Sequence, residues 1–271
     1  MKMFPTTRSE LFENLINFSE NKLSNYSKNR NFDYGPPHRN VSKLSPYLRT
    51  RFITEEEVLK IAVSNNNIKT IEKFIEEIFW RTYWRGWLES HPWIYDEYLN
   101  TSQHQPLPKK TGIKCFDYWK EELLDTGYLH NHSRMWFASI WIFTLGYSWQ
   151  SGANFFKRNL LDFCPASNTL GWRWVAGLQT INKPYLAMSD NIKYFTNGRF
   201  NPTGQLNEKV NLNYIEQNSN HVISFIKPNK IEFKNFDNLG IILNRNDLSL
   251  NHIFENMEMT YNCCVYSTEH E

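Results

Sequence analysis

The chain has 271 residues, a formal net charge of +2 and 41% hydrophobic residues. This length allows a sizeable core in one large or two modest domains, and the near-neutral charge excludes a uniformly basic nucleic-acid-binding surface, so any basic patch must be local. Aromatic residues make up 16% of the chain and include ten tryptophans. Such a composition is typical of an aromatic core, and the same side chains also form stacking platforms and electron relays.

Cysteine usage and the N-terminus predict a compartment. The four cysteines have neither metal-ligand spacing nor the framework of a small secreted domain: Cys115, Cys164, Cys263 and Cys264. Pro5 and two early glutamates argue against a signal peptide, and the apolar run 135–147 is shorter than the roughly 18 residues of a spanning helix. We expect a cytoplasmic monomer with reduced cysteines, no metal and no membrane contact.

The first part of the chain alternates helical patterns with a long polar loop. Residues 7–22 carry leucines near helical spacing, which predicts a surface helix. The following stretch SNYSKNRNFDYGPPHRNVSKLSPYL is rich in turn-forming residues, and its end offers the hydroxyls of Ser42 and Ser45 beside Lys43. These groups suit phosphates, although an ordinary loop has the same composition.

Three further helices and one connection are predicted before residue 130. Thr54, with Glu57 three residues later, predicts a capped helix start. Residues 68–88 form the most informative helix, with two candidate stripes: Glu77, Trp80, Arg81 and Trp84 on one face, and Ile71, Ile75, Phe79 and Tyr83 on another. One stripe packs, and the other is either a solvated surface or a face for an anionic aromatic ligand. The segment after it contains three prolines and is interpreted as a connection that leads to a helix over 115–129.

The stretch from 130 to 174 brings together charge, amide groups and aromatic rings. His130, Asn131, Arg134 and Met135 precede an apolar segment from 136 to 147, which predicts a polar site at the mouth of a buried helix. Asp162 and Asn168 then lead to a turn with tryptophans at 172 and 174. We infer a binding site for a large, flat ligand.

The tail differs in character from the rest of the chain. HVISFIKP, LGIILNRND and CCVYS read as short strands with one helix between them. We therefore expect a mainly α fold in which residues 1–205 form a helical domain and residues 206–271 form a small α/β-like extension.

Four segments carry a family resemblance. SKLSPYL resembles TSRLSPYL, WRTYW resembles WREFYW, TGYLHNHSRM resembles TGWMHNRARM, and NLLDFCPASNTLGWRW resembles LIDGDxAxNNGGWQW. From Tyr26 to about Phe200 they follow the order of the FAD-binding catalytic domain of the photolyase and cryptochrome family. The chain is identified as similar to that all-helical domain.

The resemblance implies FAD as the cofactor. It implies that the phosphates are held by a group of loop residues: Tyr26, Ser42, Leu44 and Ser45. It also implies that Arg134 and Asp162 pair beside the flavin ring and that Asn168 lies near its reactive nitrogen. Photolyases keep asparagine there, whereas plant cryptochromes typically have aspartate and animal ones cysteine, so Asn168 favours repair chemistry.

The resemblance further implies a DNA partner containing pyrimidine dimers. The implied lesion and DNA contacts are Glu77, Trp80, Arg81, Asn131, His132, Met135 and Trp174, of which Glu77 and Met135, together with Asn168, are the predicted catalytic residues. Trp172 and Trp149 match the first two members of the family's electron-transfer chain. The third member stays open among Tyr83, Trp87 and Trp136.

Two departures from the family pattern concern the flavin and the DNA. Cys164 stands where the family has a second aspartate, which puts the redox tuning of the flavin in doubt. His132 replaces a family arginine and is only partly charged near neutral pH. We expect DNA binding to strengthen as the pH falls through about 6 to 7. We also expect the substitution His132→Arg to tighten lesion binding.

The expected function is light-dependent repair of cyclobutane pyrimidine dimers by electron transfer from excited reduced FAD. The family's α/β antenna domain has no counterpart among the roughly 25 residues before Tyr26, so we expect a photolyase without an antenna. The alternative is a cryptochrome-like blue-light sensor, which Cys164, His132 and the tail favour.

Overall fold

The computed structural model describes residues 4–101, 108–212, 239–244, 246–249 and 261–266. Most of this part of the chain is helical, which confirms the predicted mainly α class. The helices are α1 Arg8–Asn21, α2 Tyr26–Asn29, α3 Ser45–Arg49, α4 Glu55–Asn65, α5 Ile68–Ser90, α6 Pro92–Thr101, α7 Lys114–Thr126, α8 Asn131–Ser139, α9 Trp149–Asn159, α10 Pro165–Val175 and α11 Ser189–Phe195.

Side-chain caps define where several helices begin. Thr54 accepts a hydrogen bond from the backbone N–H of Glu57, whose carboxylate in turn accepts one from the Thr54 N–H, as the sequence predicted. Thr7 and Glu10 make the same reciprocal pair at the start of α1. Each pair satisfies two backbone donors that the first turn of a helix leaves open.

The two larger hydrophobic clusters form most of the core of the helical body. One packs α1 and α4 against the first half of α5, with Leu11, Val58 and Phe74 at most 2% exposed. The other is aromatic and includes Trp119 and Trp136, which stack at 5.4 Å between ring centroids. The aromatic composition is thus largely a property of the core.

The buried stripe of α5 differs from the predicted one. Ile71, Phe74 and Ile78 are buried, whereas Phe79 and Tyr83 are 52% and 54% exposed. A spacing of four residues advances about 400° around a helix with 3.6 residues per turn, so a stripe of strict four-residue steps drifts off the core face. The prediction was right at Ile71 and wrong at the aromatic end.

The segment interpreted as a connection contains a helix, α6. Its first residue is Pro92, and a proline at the first helical position loses no hydrogen bond, because that N–H has no partner within the helix. The sequence interpretation treated this proline as a break.

The central apolar segment is an α-helix that ends in a π-helical turn. After α8, residues Ile140–Thr144 form a π-helical turn in which the N–H of Leu145 donates to the carbonyl of Ile140 at 2.9 Å. Trp136 and Trp141 on this segment are at most 1% exposed. The predicted buried helix behind a polar mouth is confirmed. Within the described residues, no helix combines the length and the apolar character needed to cross a membrane.

The described part of the tail contains two short parallel strands. β1 Leu239–Asn244 pairs with β2 Tyr261–Tyr266, with Leu239 opposite Tyr261. These match two of the predicted strands; the one at 221–228 and the intervening helix lie outside the described residues. The turn after β1 contacts the helical body, because the N–H of Leu248 donates to the carbonyl of Thr50 at 2.9 Å. The division at residue 205 stays a prediction.

Candidate cofactor and nucleic-acid site

A large cavity, of about 1120 Å³, lies between α5, α8, α10 and the loop that precedes α3. All of the predicted cofactor and DNA residues line it: Tyr26, Ser42, Leu44, Ser45, Glu77, Trp80, Arg81, Asn131, His132, Arg134, Met135, Asp162, Asn168 and Trp174. Trp172 lines it as well, whereas Trp149 does not. The fold therefore brings these residues together, and their individual roles stay predictions.

An ion pair occupies the inner end of the cavity. The guanidinium of Arg134 donates to both carboxylate oxygens of Asp162, at 3.0 and 2.8 Å, and its Nε donates to the carbonyl of Leu129. The Asp162 side chain is only 2% exposed. Burial lowers the pKa of Arg134, but the Asp162 carboxylate outweighs it and holds that pKa above its usual value. The predicted pairing is present and presents a fixed, charge-balanced unit.

Asn168 and Cys164 lie beside this pair on α10. The side-chain N–H of Asn168 donates to the carbonyl of Ala153 at 2.9 Å, which holds the amide in place at 8% exposure. Cys164 immediately precedes α10, and its buried side chain forms no cap hydrogen bond. Where the resemblance implies a second aspartate, the cavity therefore has a cysteine side chain.

The serine loop forms a second polar region. Lys43 adopts a left-handed backbone conformation with φ of 54°, and Leu44 is buried directly before α3 begins at Ser45. The Lys43 ammonium donates to the carbonyl of Pro37 at 2.6 Å. Burial, with Lys22 and Arg39 nearby, lowers the pKa of Lys43. A local excess of cations of this kind suits an anionic group such as a phosphate.

The α5 wall of the cavity is aromatic. Trp80 stacks on Trp84 at 5.6 Å between ring centroids, and Tyr83 meets both rings edge-on. Trp80 remains 47% exposed. This wall offers flat faces at the cavity mouth.

Glu77 is paired within the protein. Its carboxylate accepts a hydrogen bond from Arg30, a residue that the sequence analysis missed. Burial, followed by the Glu77 charge, raises the pKa of Tyr26. Arg30 lies one helical turn after Tyr26, so i, i+4 spacing places it beside the predicted phosphate-binding tyrosine, but no local spacing links it to Glu77.

His132 is placed differently from the expectation. Only 9% of it is exposed, its ring stacks on Trp136 at 4.0 Å, and both nitrogens contact protein oxygens. Burial lowers its pKa, an effect that hydrogen bonding to Asn31 only partly offsets. Burial therefore opposes the predicted gain of charge, and both His132 nitrogens are occupied by protein oxygens instead of being free for a phosphate. The predicted pH dependence of DNA binding stays a prediction. His132 still lines the cavity, so a different role in lesion binding stays a prediction.

Trp172 lies in the aromatic core at the edge of the cavity. It is 2% exposed and packs edge-on against Phe156 at 5.1 Å. Gly152 makes this position possible, because a Cβ there would come within 2.3 Å of the indole. Trp149 stacks on Tyr98 at 5.6 Å, and Tyr98 was not among the aromatic residues that the sequence suggested for the third electron donor.

Several buried polar atoms on the cavity lining lack a hydrogen-bond partner among the described residues. They are Nε of Arg81, Nε1 of Trp172 and Oε1 of Gln179. Burying such groups unpaired costs about 1–3 kcal/mol each, so they indicate a polar ligand or water. Together with the aromatic walls, the serine loop and the inner ion pair, these unpaired donors and acceptors fit a large, flat, phosphate-bearing cofactor.

Comparisons with known proteins agree with this geometry. The family model described as the FAD binding domain of DNA photolyase matches residues 74–217. A deoxyribodipyrimidine photo-lyase of Alkalihalophilus pseudofirmus is 30% identical over 185 residues, which cover 62% of this chain and 37% of that protein.

Two solved structures share the fold. A bacterial class III photolyase from Agrobacterium tumefaciens superposes with a TM-score of 0.56 at 24% identity, over 69% of this chain and 42% of its own. A Synechocystis cryptochrome superposes with a TM-score of 0.61 at 20% identity, over 71% and 44%.

The matched segment contains the inner ion pair, the α5 wall and most of the aromatic core. The chain spans less than half the length of the curated relatives it matches. Residues 74–217 are nevertheless 144 of its 271 residues. Since this match, the helical fold and the cavity agree, the chain belongs to the family of the FAD-binding domain of DNA photolyase, whose cofactor is FAD.

Proposed function

We propose that this chain binds FAD in the central cavity and supports light-dependent repair of cyclobutane pyrimidine dimers in DNA, as a carbon–carbon lyase. The observation that supports this most is one cavity lined by both the cofactor residues and the lesion residues that the resemblance implied. A transfer of one electron between two ligands needs them close together and shielded from water, and a shared cavity provides both conditions.

In this proposal FAD, when reduced and excited by light, supplies the electron. Ser42 and Ser45 hold the phosphates, and the Arg134–Asp162 pair fixes charge beside the flavin. The pair is already formed and hydrogen-bonded, so little reorganisation is needed during the reaction. Asn168, held by the Ala153 carbonyl, presents its amide to the same region.

The lesion enters from the aromatic side. A pyrimidine dimer is poorly stacked, so extruding it costs less than the few kcal/mol needed for an ordinary base, which favours damaged over intact DNA. Trp80 and Trp174 supply stacking faces on two walls, and Asn131 is exposed at the start of α8. Glu77 meets base edges and, because it is paired with Arg30, does so as a carboxylate whose charge is already balanced.

The second candidate function is a flavin-based blue-light sensor without repair. Two features favour it: Cys164 stands in place of an aspartate, and both ring nitrogens of His132 contact protein oxygens. Both residues occupy positions that the repair hypothesis assigns to the flavin or to the DNA. The sensor needs the flavin end of the cavity and not the aromatic mouth.

The deciding experiment measures repair directly. Purified, chemically reduced protein and an oligonucleotide containing thymine dimers are illuminated with blue light, and the recovery of thymine absorbance is followed. Repair by the lit and not the dark sample is expected. Flavin-containing protein that never repairs the dimer would support the sensor, and folded protein that binds no FAD would defeat both functions.

A further inference from the structure

His132 occupies a fully partnered position between two elements of the cavity wall. Its Nδ1 lies 2.9 Å from the carbonyl oxygen of Asn31, and its Nε2 lies 3.2 Å from the hydroxyl of Tyr185. The ring also packs on Trp136 and, at 4.9 Å between centroids, on Phe195. Its surroundings therefore leave little freedom for the imidazole to turn.

These partners determine which nitrogen carries the proton. A backbone carbonyl can only accept, so Nδ1 must donate to Asn31. In the neutral ring Nε2 is then an acceptor, and the Tyr185 hydroxyl donates to it. The hydroxyl is thus directed towards His132, and this bond, together with a hydrogen bond from the Trp136 indole, holds the Tyr185 ring.

Tyr185 in turn supports Trp174. The two rings stack at 5.4 Å between centroids with an interplanar angle of 27°. Trp174 lines the cavity, whereas Tyr185 is not part of the lining, so the tyrosine backs the indole from outside. The backbone N–H of Tyr185 donates to the carbonyl of Val175, the residue after Trp174, at 3.0 Å, which ties the two chain segments together.

We propose that His132 and Tyr185 are positioning residues that set the plane of Trp174 in the cavity wall through the hydrogen bond between them. The inference deepens the proposed function, since Trp174 is a predicted stacking face for the dimer. A lesion-stacking indole is effective only at one orientation, because aromatic contacts depend on the offset and angle of the rings. His132 thus acts on the substrate through two other side chains and not through a phosphate.

Two variants remove the same hydrogen bond by different routes. Tyr185→Phe keeps the stacked ring and loses the hydroxyl, and His132→Asn loses the imidazole acceptor. In protein labelled with 5-fluorotryptophan, the signal of Trp174, assigned by its loss in Trp174→Phe, should move or broaden in both variants. Binding of a dimer-containing oligonucleotide should weaken roughly three- to tenfold, as for one lost hydrogen bond. The double variant should lose less than the sum of the two single losses, because both changes break the hydrogen bond between His132 and Tyr185.

The matched control is Tyr194→Phe, on a tyrosine that is 65% exposed and outside the cavity lining. It should leave the Trp174 signal and oligonucleotide binding unchanged, and retained FAD shows that each variant is folded. An unmoved Trp174 signal in Tyr185→Phe, or a binding loss that persists in the Trp174→Phe background, overturns the proposal. The fluorine measurement needs no DNA, so a wild-type protein that ignores dimers would defeat the proposed function alone.

Discussion

The inner end and the outer wall of the cavity satisfy their polar groups in different ways. At the inner end, Asp162 has a side chain that is 2% exposed and forms a two-bond pair with Arg134. At the outer wall, Glu77 pairs with Arg30 while both side chains stay about a third exposed, at 33% and 28%. The Arg134 side chain is itself 23% exposed, so the two pairs differ mainly in their carboxylates: water screens Glu77 more than the buried Asp162.

This difference separates two properties of the protein. A buried, fully paired unit fixes geometry and resists salt, whereas a partly exposed pair can rearrange when a charged ligand arrives. We expect cofactor binding to depend on the inner end and nucleic-acid binding to respond to salt at the outer wall.

Asp162→Asn is the largest test of the inner end. It leaves the Arg134 charge without its partner in a mostly buried place, which should cost about 3 kcal/mol in the free energy of unfolding and abolish FAD retention. Urea denaturation and flavin absorbance measure the two effects. The control Glu76→Gln breaks the surface pair with Lys73 and should cost less than about 1 kcal/mol. Equal losses in both variants would remove the distinction between inner and outer pairs.

Trp172→Phe tests the electron path from the inner end. Light-driven reduction of oxidised FAD should slow severely, because Trp172 is the predicted nearest donor, and repair by chemically reduced protein should survive. Tyr98→Phe should slow the same photoreduction to a smaller degree, since its ring stacks on Trp149. Unchanged photoreduction in Trp172→Phe would assign the relay to other aromatic residues.

Acid should destabilise the protein through His130. Burial lowers the pKa of His130 to about 4, below its ordinary value of 6.5. Between about pH 6.5 and pH 4, His130 is protonated in the unfolded chain but not in the folded protein. The free energy of unfolding therefore decreases as the pH falls through this window, by at most about 3 kcal/mol. His130→Asn keeps an acceptor for the helix start and should flatten the profile measured by denaturation. An equally steep profile in that variant would assign the effect to other groups.

His132→Arg distinguishes a buried position from a phosphate contact. A longer, charged side chain between Trp136 and Tyr185 should lower the unfolding free energy by about 1–3 kcal/mol and weaken dimer binding. Tighter binding in the variant, as the family pattern implies, would show that this side chain reaches the DNA. Thermal denaturation and oligonucleotide titration provide the two measurements.

The smallest effect concerns salt and the outer wall. Arg85 lies on α5, one turn after Arg81, and is partly exposed. If it neutralises one phosphate, Arg85→Gln should reduce the slope of log affinity against log salt concentration by about 1. Neither Arg85 nor the control residue Lys60 lines the cavity, but Lys60 lies on α4 and not beside the aromatic wall, so Lys60→Gln should not change the slope. A slope insensitive to Arg85 would place the phosphate contacts elsewhere.

Sequence patterns predicted local secondary structure better than they predicted which side chains form hydrogen bonds with each other. The caps at Thr54 and the buried helix after residue 130 follow from short-range rules, and the Arg134–Asp162 pair followed from a dense family motif. Arg30, opposite Glu77, and Tyr185, opposite His132, were missed because 47 and 53 residues separate the partners. No local periodicity reports which distant side chain completes a hydrogen bond.

Errors in helix interpretation have equally simple causes. Pro92 starts α6 instead of preventing it, since a helix has no use for the N–H at its first position. Phe79 and Tyr83 are exposed because their stripe was assigned by steps of four, whereas a straight stripe alternates steps of three and four.

The π-helical turn Ile140–Thr144 also affects how this chain should be aligned with its relatives. Such a turn is a helix that has taken in one extra residue without breaking. A relative whose helix is regular here should therefore align with a one-residue gap inside this turn, although its sequence is otherwise continuous. Against such a relative, an alignment that forces a gapless helix would shift the residues after Leu145, including Trp149, by one position.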